Sequence, residues 1–146
     1  MPLRTFTIEI KIGIFLSERN FMGLVRLDEL PELEIADGIL MRAVTAENMT
    51  VAHVRLAEGA LLPEHAHPNE QVVNVIDGEL ELTVEGRPYS LVPGKVMVLP
   101  ANVKHSGRAK TECRVIDVFH PVREDFRGNS FGGYTGERAN RRKSNK

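Results

Sequence analysis

The sequence predicts an all-β domain, a sandwich, jelly roll or barrel. Short β-rich runs follow one another at close spacing, at 39–44, 50–56, 71–76, 79–84, 95–99 and 114–119. Turn signals separate them: Asp37-Gly38, Glu58-Gly59, Asp77-Gly78, Glu85-Gly86, Pro93-Gly94 and Pro100-Ala101-Asn102. Asp-Gly between alternating apolar runs is a strong hairpin signal. Helical periodicity is almost absent. Residues 24–33, with Leu27, Leu30 and Pro31, have room for one helical turn and no more. Many short strands with regular turns read as a closed or double-sheet β architecture.

Composition narrows the class. A chain of 146 residues suits one domain, and 42% hydrophobic with 27% charged residues is globular and not disordered. The single cysteine, Cys113, excludes an internal disulfide and any zinc site built from several thiolates. It favours a reducing, cytoplasmic setting. A formal charge of −1 gives no global attraction to nucleic acid or an anionic membrane. No apolar run approaches the roughly 20 residues of a spanning helix. With no tryptophan and 5% aromatics, the core must be aliphatic.

Taken in chain order, residues 1–30 are an extension carrying an extra strand. Phe6, Ile8, Ile10, Ile12 and Ile14 share one parity; Thr5, Thr7, Glu9, Lys11 and Gly13 hold the other. That alternation is a half-buried strand, not the continuous apolar core of a secretory signal. So long an edge is expected to pair, in a strand-exchanged homodimer. Residues 31–126 form the barrel. Residues 127–146 turn glycine-rich and then basic, with a formal +4 over 137–146. This reads as a solvated tail and not a nucleic-acid arm.

The chemistry lies in the histidines. His65 and His67 stand at i and i+2 in Glu64-His65-Ala66-His67-Pro68, so on a strand both rings face one side. Converging imidazoles suit a divalent metal. If one regular strand runs through 65–71, past Pro68, Gln71 shares their odd parity and Glu70, even, points away; a break at Pro68 would leave Glu70 as the alternative ligand. His105 follows the turn after Pro100 and returns the chain to the same barrel. His53 and His120 read as surface or satisfied core residues.

This spacing resembles the cupin superfamily. Its first motif is a glycine, five residues, H-x-H, three or four residues, an acid, six residues and a glycine. Gly59, His65, His67, Gln71 and Gly78 follow it. Its second motif, glycine, five residues, proline, x, a small residue, two residues and histidine, is met by Gly94, Pro100, Asn102 and His105. The resemblance implies a double-stranded β-helix jelly roll. It implies one divalent metal ion per subunit, zinc, nickel, iron or manganese, held by His65, His67, Gln71 and His105. Gln71 stands where most metal cupins have glutamate. An all-neutral ligand set leaves the 2+ charge uncompensated and should favour a small anionic substrate.

Two segments resemble a narrower group. His67-Pro-Asn-Glu-Gln71 and Asp117-Val-Phe-His-Pro-Val-Arg-Glu-Asp-Phe126 are similar to the small cupins of pectin and alginate breakdown that linearise 4,5-unsaturated monouronates. The resemblance implies Asp117 and Arg123 as catalytic residues, and Phe119 and Arg123 as substrate-binding ones. Parity agrees that Val115, Asp117 and Phe119 share a strand face. The chain departs from that group in both terminal extensions and in His120, where a small hydroxyl residue is usual. The expected activity is a metal-dependent isomerase or lyase reaction in uronate metabolism. The competing expectations are a metal cupin cyclase or isomerase acting on an enolisable substrate such as a polyketide, a cupin dioxygenase, and a non-catalytic sugar-binding cupin.

Overall fold

The computed structural model describes residues 23–127, with ten strands and two short 3-10 turns. The strands are β1 (Leu33–Ala36), β2 (Ile39–Thr45), β3 (Thr50–Leu56), β4 (Leu61–His65) and β5 (Glu70–Asp77). They continue with β6 (Leu80–Val84), β7 (Arg87–Leu91), β8 (Val96–Leu99), β9 (His105–Ala109) and β10 (Cys113–His120). A six-stranded sheet runs β1-β2-β3-β10-β5-β8, and a four-stranded sheet runs β4-β9-β6-β7. Every pairing is antiparallel. This is the jelly roll that the strand spacing and motif resemblance predict. The expected N-terminal strand and the basic tail lie outside the described residues. Among the described residues no helix is long and apolar enough to cross a membrane.

All six predicted runs are strands. The strands not read from apolar runs, β1, β4, β7 and β9, share a physical reason. Three of them sit at sheet edges, where a strand needs few apolar residues. β4 (LLPEH) and β7 (RPYSL) each carry a proline, tolerated at an edge where the missing N–H faces no ladder partner. β1 is short and has an irregular register between Glu34 and Ala36. β9 (HSGRA) lies inside the four-stranded sheet, and its Gly107 leaves room for Leu80 and Leu62 close overhead.

The two sheets face each other across an aliphatic core. Ile39, Met41, Val73, Val75 and Leu99 are 0–2% exposed. Truncating such a side chain to alanine typically costs about 2–5 kcal/mol. Phe119 and Phe126 supply the aromatic corner of this core. At its other end Cys113 is buried, its thiol donating to the carbonyls of Glu79 and Thr111. Burial pushes that thiol's pKa up, so Cys113 is a packing residue and not a nucleophile.

The Asp77-Gly78 turn joins the sheets and shows why glycine is required there. Gly78 has φ +84°, and a Cβ on it would collide with the backbone carbonyl of Glu112. Gly86 has φ +78° but open space around it. Gly86→Ala should therefore lose only the left-handed strain of about 1–2 kcal/mol. Gly78→Ala should lose clearly more, because the Glu112 backbone must also move. Urea unfolding of both variants checks the ordering; equal losses would contradict it.

Candidate metal centre

β4 ends at His65, and β5 begins at Glu70 in the other sheet. Residues 66–69 cross between the sheets, and His67 sits in that crossing. The expectation of one regular strand through 65–71 is therefore corrected. What aims these side chains inward is the passage from sheet to sheet, not parity along a single strand. His105 opens β9 and pairs directly with His65. The ligand nitrogens of His65, His67 and His105 all lie within 4.8 Å of one another. Gln71, on β5, brings Oε1 to 2.9 Å from His67 Nε2. Glu70 is exposed and faces away.

Each imidazole is oriented by a backbone carbonyl. The Nδ1 atoms lie 2.7 Å from Pro63 O for His65, 3.0 Å from Asn69 O for His67 and 2.9 Å from Val103 O for His105. A carbonyl only accepts, so each Nδ1 carries the proton and each Nε2 presents a lone pair. Burial disfavours the imidazolium at all three, and Arg123 adds to this. The His65 pKa is held down to about 4.

This arrangement can hold a cation. His105 Nε2 is buried with no hydrogen-bond partner. His67, when neutral, has one N–H but faces an acceptor at each ring nitrogen. Unsatisfied buried groups cost about 1–3 kcal/mol each. A shared divalent ion removes both mismatches. The 2.9 Å contact between His67 Nε2 and Gln71 Oε1 brings the amide oxygen beside the histidine cluster, where both atoms could share one ion. The donor set thus fits the expected ion. Three imidazoles and an amide do not choose between zinc, nickel, iron and manganese.

Asp117 lies on β10 between β3 and β5 and points inward with Val115 and Phe119. Its Oδ1 is buried without a hydrogen-bond partner. Burial raises its pKa to about 7, against the lowering effects of a Gln71 hydrogen bond and the Arg123 charge. Gln71 is therefore a bridge. Its carbonyl oxygen faces the histidines, and its amide N–H donates to Asp117. A glutamate there would set two carboxylates side by side.

Phe119 is buried edge-on to His67 and to Phe126. Arg123 is 4% exposed, and its guanidinium lies over both rings, 4.9 Å and 4.2 Å from their centroids. Its Nε and Nη2 form a fork on Asp125 at 2.8 and 2.6 Å. The resemblance made Arg123 a substrate-binding residue, a part this fork would play on a substrate carboxylate. In the fold a substrate reaches it only by displacing Asp125. Asp125 was not read from the sequence, although it stands in the quoted terminal segment. Neither was Asn69, which is buried and whose Nδ2 donates to Pro121 O at 2.6 Å, tying the ligand-bearing crossing to the segment that delivers Arg123. No signal in a single sequence marks Asn69. His53 and His120 stay out of the cluster, His120 exposed beyond the barrel and His53 on the outer face of β3.

Behind the histidines lies a small cavity between the sheets. His65, Gln71, His105 and Asp117 line its polar side, and aliphatic residues such as Ile39, Met41 and Leu82 line the rest.

Comparison with known proteins agrees with this geometry. The cupin-domain profile matches residues 52–119. An uncharacterized protein of Streptomyces coelicolor is 31% identical over 102 residues, spanning 68% of this chain and 97% of the relative. The chain belongs to the cupin superfamily. Among solved structures, KdgF from a Halomonas species is similar with TM-score 0.66 and 27% identity, covering 72% of this cupin and 98% of that chain. An RmlC-like cupin from Shewanella frigidimarina has TM-score 0.64 and 28% identity, covering 75% and 96%.

Two outcomes follow from the site. Added divalent metal should raise the melting temperature, by mass action worth about 2.7 kcal/mol at a hundredfold excess over Kd. His105→Ala should abolish that shift; an undiminished shift would place the metal elsewhere. The histidines contribute to the pH dependence with a definite sign, which Asp117, its pKa raised to about 7 by burial, opposes over the same window. All three histidines have folded pKa values below the ordinary 6.5, so the unfolded chain takes up protons that the fold refuses. That stability is present above pH 6.5 and lost as pH falls toward about 4, where His65 titrates in the fold. Urea midpoints of metal-free wild type and His65→Ala at neutral and mildly acid pH measure it by difference: the variant should lose less stability on acidification than wild type.

Proposed function

We propose that this cupin is a metal-dependent enzyme that opens and ketonises 4,5-unsaturated monouronates. The observation that carries the reading is the Asp117 carboxyl, buried beside the histidine cluster and hydrogen-bonded through Gln71 to the same set of donors. A carboxylate so placed is costly unless it has a task. The two sequence segments that resemble the cupins of pectin and alginate breakdown support the substrate class.

The reaction is an isomerisation. The substrate is a cyclic hemiacetal with a C4–C5 double bond. The anomeric hydroxyl loses a proton, the C1–O5 bond breaks, and C1 becomes an aldehyde. The electron pair left on O5 gives an enolate, which takes a proton at C4 and becomes a ketone. One proton moves from oxygen to carbon, and no oxidant is needed. His65, His67, His105 and Gln71 would hold a divalent ion, which supplies Lewis-acid stabilisation of developing negative charge. Asp117 accepts the hydroxyl proton and returns it at C4, a role its raised pKa suits. Phe119 walls the site and excludes water. Arg123, held by Asp125 and stacked on two rings, adds a fixed positive charge that favours an anionic substrate.

A second reading is favoured by two observations. The cavity wall is largely aliphatic, and the Arg123 fork is occupied. Both suit an isomerase or cyclase acting on a less polar enolisable substrate with the same metal and the same acid–base residue.

Loss of the conjugated ultraviolet absorbance of a 4,5-unsaturated monouronate, measured against the spontaneous rate, tests the first reading. Metal-loaded protein should accelerate it. Asp117→Asn should lower the rate about 10²–10⁴-fold while leaving metal uptake intact. No acceleration by fully loaded protein would reject the uronate and leave the second reading.

A further inference from the structure

The crossing between the sheets carries a ligand without the support of a ladder. Residues 66–69 lie between β4 and β5, and His67 stands among them. Backbone there has to be held by other means. One hold is main-chain: Asn102 N–H donates to His67 O at 2.8 Å. Another is the side chain of Asn69, which is 5% exposed. Its Nδ2 donates to Pro121 O at 2.6 Å and to Val122 O at 3.3 Å. The Asn69 carbonyl in turn accepts from His67 Nδ1 at 3.0 Å.

These contacts close a ring. From Val122 the chain passes to Arg123, whose guanidinium lies 4.9 Å from the centre of the Phe119 ring. Phe119 stands edge-on to His67, with ring centroids 5.5 Å apart. His67 leads back to Asn69. His67, Asn69, Phe119 and Arg123 are each at most 8% exposed, so bulk solvent does not reach the ring. The chemistry at position 69 is specific. Two consecutive carbonyls just past the end of β10 need donors, and a primary amide offers two N–H groups on one nitrogen. A serine offers one donor, an ionised aspartate offers none, and a glutamine is one methylene longer.

We propose that Asn69 is a positioning residue joining two parts of the site: it fixes the His67 ring at the ion site and, through its amide, fixes the segment that carries Arg123. The inference rests on the metal centre and not on the identity of the substrate. The same segment has a second anchor in Thr50, which is fully buried and whose hydroxyl accepts from Arg123 N–H at 3.0 Å. Thr50 lies on β3, and its bond reaches the segment without passing through Asn69 or His67. It therefore separates loosening of the segment from loss of the Asn69 link.

Cobalt(II) titration and NMR of the full chain test the proposal. In Asn69→Ala, cobalt(II) affinity, measured by competition with a chelator, should fall about 10–100-fold, the range for an outer partner of a metal ligand. In metal-free protein the His67 Nδ1–H signal should lose its protection from solvent exchange, while that of His105, held by Val103 O, persists. Thr50→Val should lower the urea midpoint and leave cobalt(II) affinity and both imidazole signals unchanged. Asn69→Ser, the milder change, should move affinity and the His67 signal in the same direction, and it decides the matter if the alanine variant misfolds. Unchanged affinity in both Asn69 variants would overturn the proposal. So would equal loss of the His67 and His105 signals, which is general loosening, or a Thr50→Val variant that weakens cobalt(II) as much. Wild-type protein that bound no cobalt(II) would count against the metal centre itself, and the imidazole signals would then decide for or against Asn69.

Discussion

The structure is organised around lone pairs that have to be buried. Three imidazoles hand their Nδ1 protons to fixed carbonyls and turn bare Nε2 atoms toward one another inside an aliphatic barrel. Protonation would satisfy them in water, but burial and the Arg123 charge oppose it. A divalent ion is the species that satisfies all of them at once. A divalent ion held there would relieve the buried polar cluster, so folding stability and metal affinity would be linked through the same nitrogens.

The fold's part is to hold that cluster still. His65 and His105 are cross-strand neighbours in the smaller sheet, while Gln71 and Asp117 belong to the larger one. The centre therefore forms only when the two sheets are packed. Asn69 strengthens the connection, since its backbone oxygen orients His67 and its side chain grips the segment before Arg123. Gln71 connects the histidine cluster to Asp117 without adding charge. The aliphatic walls lower the local dielectric, which strengthens each of these electrostatic effects.

The sequence made some of this legible and hid the rest for identifiable reasons. Turn chemistry at Asp37-Gly38 and Asp77-Gly78, with alternating runs between, was enough for the double-sheet β class. The spacing of Gly59, His65, His67 and Gly78 pointed to the jelly roll and its ligands. Parity correctly separated Gln71 from Glu70 and turned Asp117 inward, although the path from His65 to Gln71 is a crossing between sheets and not one strand. Edge strands β4 and β7 were hidden because an edge needs neither continuous apolar residues nor freedom from proline. The Arg123–Asp125 fork was hidden because an arginine's partner depends on where a turn places a neighbour two residues away.

X-ray absorption spectroscopy of the metal-loaded protein tests the central claim most directly. The account predicts a first shell of nitrogen and oxygen at about 2.0–2.2 Å, with outer-shell scattering from three imidazoles. A shell with fewer than three imidazoles, or one containing sulfur from Cys113, would contradict it.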